Sequence, residues 1–106
     1  MAEGFKPPPS AQAAAAHGLE LRRKWGRGGT PVGVARARDL SRGAELSRET
    51  VGRMAAFARH LGQPESDPPD GGPSARAIAI KLWGGAAGVN WAKAKMNALR
   101  RLKKGD

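Results

Sequence analysis

At 106 residues with a formal net charge of +10, the chain has room for one small core and carries a surplus of positive charge that an anionic partner would relieve. It contains no cysteine, which excludes disulfides and thiolate metal sites. Leu, Ile, Val and Phe number only 16, but 20 alanines and three tryptophans let short helices pack closely, so an ordered centre with mobile ends is expected.

Residues 1–9, MAEGFKPPP, end in three prolines that stiffen the chain outside a helix, and they read as a flexible tail. This segment also lacks the apolar centre of a secretion signal, and no apolar run approaches the roughly 18 residues of a membrane span, so a soluble protein without a membrane partner is expected. A small helical domain is expected over residues 10–104. Ser10 is the candidate N-cap of a first helix running to Trp25, weakened in its middle by Gly18. Gly26 stops that helix, and Thr30-Pro31 is the pairing of N-cap and first-turn proline that opens a second one, about residues 31–42.

Ser47 caps a third helix, in which Val51, Met54, Ala55, Ala58 and Leu61 repeat at helical spacing and form its core stripe. Residues 62–73, GQPESDPPDGGP, hold four prolines, three glycines and three acids, and read as a solvated connector. The alternative is an internal acidic decoy that shields the basic surface. Ser74 caps a short fourth helix through Trp83, and Gly84-Gly85 separates it from a fifth, about residues 86–104, with Val89, Ala92, Met96, Leu99 and Leu102 toward the core. No run alternates as a strand does, so the fold class is all-α, one small domain of four or five short helices.

No catalytic constellation is present, and the protein is read as a non-enzyme without cofactor or metal. GRGG at 26–29 lacks the Gly-Lys-Ser/Thr ending of a phosphate-binding loop, and glycine stop followed by threonine cap accounts for it. Helix-start amides beside Arg27 could still hold one phosphate. His17 and His60 lack nearby ligand partners in sequence.

Bases gather in three groups. Arg22, Arg23, Lys24 and Arg27 flank the first glycine turn, Arg36, Arg38 and Arg42 lie on the second helix, and Lys93, Arg100, Arg101, Lys103 and Lys104 occupy the last one. Residues 91–106 alone carry six bases against one acid. Phosphate contact with nucleic acid, DNA ahead of RNA, through Arg22, Arg23, Lys24, Arg27, Arg36, Arg38, Arg100 and Arg101 follows as the leading expectation. Two alternatives stand beside it: a protein-interaction module whose basic face meets an acidic partner, and a sequence-reading helix-turn-helix built from the second and third helices, with Arg48, Thr50 and Arg53 near the start of the reading helix.

The series GLELRRKWGRGGTPVGVARARDL, LSRETVGRM, FARH, PSARAIAIKLWGG and AGVNWA, spanning residues 18–92, resembles a small module of bacteriophage-encoded proteins, found alone or beside head-maturation protease sequences. The resemblance implies a role in infection or virion assembly, in host cytoplasm or virion, with a capsid or host protein as a possible acidic partner, and it brings no established activity. After His60 the chain departs from the pattern, having an acidic proline loop where such modules tend to continue with charged residues including lysine.

Overall fold

The computed structural model describes residues 4–62 and 68–104, the side chains of 102–104 excepted. Its first helix, α1 (Pro9–Trp25), begins one residue before the expected Ser10 cap. Pro9 has its φ preset for a helix and no N–H to satisfy, so Pro8 takes the cap position and its carbonyl accepts from the amides of Ala11 and Gln12 at 3.0 and 3.1 Å. The helix ends at Gly26, whose left-handed φ of 66° lets its N–H reach the Arg22 carbonyl at 2.8 Å.

Gly18 does not fray this helix. It is buried, and a Cβ there would lie 2.8 Å from the backbone nitrogen of Leu82, so the missing side chain is what allows another helix to cross. The same device recurs where Gly88 meets Ala11 and Gly85 meets Ala14, each at 2.9 Å from a would-be Cβ. Small residues thus replace bulk with proximity.

The proline-rich start corrects the expectation of a flexible tail over residues 4–9. Phe5 and Leu46 exchange both backbone hydrogen bonds, at 2.9 and 2.8 Å, and Pro7 is fully buried. Phe5 packs on the core, and the Gln12 amide donates to the Pro7 carbonyl at 2.9 Å. Burial of two apolar side chains and pairing of their backbone outweigh the absence of a regular element. Residues 1–3 of the expected tail lie outside the described residues.

The second helix, α2 (Pro31–Ser41), opens as expected with the Gly33 amide donating to Thr30 Oγ1 at 3.1 Å. Ser47 likewise caps α3 (Arg48–Ala56) through the Thr50 amide at 3.2 Å, and Ser74 caps α4 (Ala75–Leu82) through that of Ala77 at 3.0 Å. The final helix is α5 (Gly85–Lys104). Among the described residues every regular element is helical, which makes this an all-α domain.

The third helix is shorter than its stripe suggests. Val51 and Met54 are fully buried and Ala55 partly, but at Phe57 the coil tightens into a 3-10 turn, Phe57–His60. With three residues per turn, Phe57 and His60 eclipse, their rings 5.2 Å apart, and Phe57 lies 5.3 Å from Trp83. The aromatic contact with Trp83 accompanies the tighter turn, which takes Ala58 and Leu61 off the α-helical register.

Helix α1 is the centre of the assembly, packing on α2, α4 and α5, whereas α3 packs chiefly on α5. The core joins Ala15, Ala37, Leu40, Leu46, Val51, Met54, Ile78, Leu82, Trp83 and Ala92. Because α2 takes α1 as its main partner and α3 takes α5, the two do not form the mutually packed pair of a helix-turn-helix. The link between them is engaged instead by Phe5 at Leu46.

Candidate nucleic-acid interface

The glycine turn is pressed onto α4. Gly28 and Gly29 have φ of 96° and 78°, and a Cβ at Gly28 would come within 2.5 Å of the Ile78 Cβ. Packing and left-handed backbone therefore explain these glycines.

Arg27, placed by the sequence at the centre of an anion site, has a carboxylate of its own. Its Nη1 and Nη2 donate to the two oxygens of Asp70 at 2.8 and 2.9 Å, and its Nε donates to the Pro73 carbonyl at 2.9 Å. The guanidinium also lies 5.4 Å from the centre of the Trp25 ring. Hydrogen bonding to Arg27, reinforced by the Gly72 amide at 3.0 Å, holds the Asp70 carboxyl down at about 2, and the same pairing raises Arg27. This part of the loop, Pro68–Pro73, is thus tied to the basic surface at one point. The other two acids of residues 62–73, Glu65 and Asp67, lie outside the described residues.

A cleft lies beside the turn. Leu19, Glu20, Arg22 and Arg23 of α1 and Val34 and Arg38 of α2 line a space of about 480 Å³. Its making is legible in helix geometry: Leu19 is followed by Arg22 and Arg23 at i+3 and i+4, and Val34 by Arg38 at i+4, so each helix adds arginine one turn beyond an apolar wall residue. Arg22 is partly buried, and its Nε donates to the Gly28 carbonyl at 3.0 Å. Arg23 and Arg38 are exposed, and neither side chain has a hydrogen bond or ion pair among the described residues. Cations at this end of α1 also face the negative end of its dipole.

The remaining expected residues lie elsewhere. Arg36 pairs with Asp39 at 3.1 Å, and Arg42 shares that carboxylate at 2.6 Å. Lys24 places its ammonium 5.4 Å from the Trp25 ring centre. Arg100 borders a groove of about 290 Å³ between α3 and α5 with Gly52, Ala55, Ala56, Lys93, Met96 and Asn97, and Arg101 is exposed. The contacts of Ala11 with Gly88 and Ala14 with Gly85 run in opposite chain directions, so α1 and α5 leave their contact in opposite senses. At 1.5 Å per residue, Arg23 and Arg100 are each carried roughly 18 Å from it. The eight expected residues therefore divide between the turn, the cleft, the Asp39 pairing on α2 and the far end of α5.

Sequence reading missed Asp70 as the partner of Arg27 and Glu20 as the one carboxylate of the cleft. The first pair spans 43 positions and leaves no local signal. Glu20 stands two residues before Arg22, and its place follows once α1 is known to face α2. Among the described residues no helix is long and apolar enough to cross a membrane. No family model, no curated protein and no solved structure matches the chain, so the reading of the site rests on its own geometry.

Proposed function

We propose that this protein binds nucleic acid through phosphate contacts with little sequence preference, and that the α1/α2 cleft is its primary contact. The observation that carries the reading is the convergence of Arg22, Arg23 and Arg38 from two helices on one cleft against a single carboxylate, Glu20. With its Nε engaged by Gly28, Arg22 keeps its two terminal nitrogens for a phosphate oxygen pair. Arg23 and Arg38 supply further forks, and Leu19 and Val34 give the cleft an apolar wall beside them. Arg27 and Arg36 contribute less, because a phosphate must compete there with Asp70 and Asp39. The resemblance to phage modules makes phage or host DNA the first ligand to try.

The test is duplex binding by Arg23→Ala/Arg38→Ala beside Arg36→Ala. Each lost phosphate contact is worth about 1 kcal/mol or more, so the double variant should bind about tenfold or more weakly and Arg36→Ala should lose less. Equal losses, or binding unaffected by the double change, contradict the cleft as the site.

A second reading has its own observation. The α3/α5 groove has a floor of Gly52, Ala55, Ala56 and Met96 and carries Lys93 and Arg100, a surface suited to an acidic, partly apolar protein segment. Stoichiometric capture of one acidic protein after nuclease treatment would favour it, with Lys93→Ala/Arg100→Ala abolishing the capture.

A further inference from the structure

We propose that Asp70, an acid in a strongly basic protein, strengthens anion binding at the α1/α2 cleft by positioning Arg22. The proposal rests on the cleft reading and concerns a residue that touches no ligand. Its path is continuous: both Asp70 oxygens hold Arg27, the next residue is Gly28, and the Gly28 carbonyl accepts from Arg22 Nε at 3.0 Å. Arg22 in turn lines the cleft.

The carbonyl that holds Arg22 is only as fixed as the turn that carries it. Gly26, Gly28 and Gly29 all have positive φ, and glycine backbone of this kind has many alternatives to lose. On one side Ile78 and Leu82 press on the turn. On the other the restraint comes from the loop: the paired oxygens of Asp70, the Pro73 carbonyl on Arg27 Nε, and Gly72 set so closely on Trp25 that a Cβ there would fall 2.8 Å from the ring. Asp70 also receives the Gly72 amide, so one carboxylate fixes both the loop that clamps and the arginine that is clamped. Removing it frees the peptide that orients Arg22, and a phosphate must then order that side chain itself.

Electrostatics alone predicts the opposite sign. Asp70→Asn raises the net charge by one and removes a repulsion on any polyanion, which by itself tightens binding. The sign of the change therefore separates positioning from charge.

The experiment measures binding of a labelled DNA duplex of about 20 base pairs at about 50 mM salt, with the full chain and the variants Asp70→Asn, Asp70→Glu, Ser47→Ala and Arg23→Ala/Arg38→Ala. Positioning predicts that Asp70→Asn binds about three- to tenfold more weakly, the order expected when one rotamer-rich side chain is released. Asp70→Glu, which keeps the carboxylate, should recover most of that loss. Ser47→Ala removes a cap remote from the cleft and should lower stability with unchanged affinity, which separates positioning from general loosening of the fold. Unchanged or tighter binding by Asp70→Asn, with loss in Arg23→Ala/Arg38→Ala, overturns the positioning role and leaves the cleft reading standing. Unchanged binding by Arg23→Ala/Arg38→Ala overturns both.

Discussion

Gly26 and Gly28 lie in one turn, both left-handed, yet a side chain meets different surroundings at each. At Gly26, φ 66°, nothing stands within 4 Å of a Cβ, so Gly26→Ala should cost only the backbone strain, about 1–2 kcal/mol. At Gly28, φ 96°, the Cβ would overlap Ile78, and overpacking adds about 1–3 kcal/mol to that strain. Denaturant unfolding should rank Gly28→Ala clearly below Gly26→Ala, and equal midpoints would show that the turn does not press on α4. Asp70 gives a second measurement at this scale. Its folded value near 2 lies below the ordinary 3.8, so its contribution to stability is fully present above about pH 4 and is lost as pH falls through 2. A carboxyl titration by NMR should find that midpoint near 2, and an ordinary midpoint would mean the clamp on Arg27 is not formed in solution.

Helix boundaries show which elements the sequence could specify. Thr30, Ser47 and Ser74 were legible as caps because each bonds the amide three residues on, a relation held within four residues of chain. The start of α1 was misplaced because Pro9 is as good a first residue as Ser10 is a cap. The break at Phe57 was invisible, and the Trp83 ring that Phe57 meets there lies far along the chain. The docking of Phe5 on Leu46 and the clamp of Arg27 by Asp70 escaped for the same reason. Of the site, the basic residues were legible one by one, but the cleft depends on α1 facing α2, which neither helix encodes alone. Gly18 illustrates the gap: propensity favours alanine there by about 1 kcal/mol, whereas the α4 crossing opposes it by about 1–3 kcal/mol. Gly18→Ala should therefore lower the melting temperature, and a higher one would place α4 farther from α1 than its 2.8 Å approach implies.

The whole molecule measures 53 × 28 × 21 Å, with a radius of gyration of 14.2 Å against about 13 Å for a compact chain of this length. Its positive charge is spread along that length rather than gathered on one site. The α1/α2 cleft and the end of α5 lie in opposite directions from the centre, and several intervening cations are already paired with Asp39, Glu49 or Asp70. The count of 19 lysines and arginines therefore overstates the number of strong phosphate contacts. The proposed binding mode uses about three from the cleft, with weaker help from Lys24, Arg100 and Arg101.

That count is measured most directly by the salt dependence of duplex binding. For the native protein the plot of log affinity against log salt should have a slope of about −3 or steeper, a loss of at least about sixtyfold between about 50 and 200 mM. The variant Arg22→Ala/Arg23→Ala/Arg38→Ala should flatten that slope by about 3. Absence of binding at the lower salt, or the same slope in both proteins, would contradict the assignment of the cleft as the nucleic-acid site.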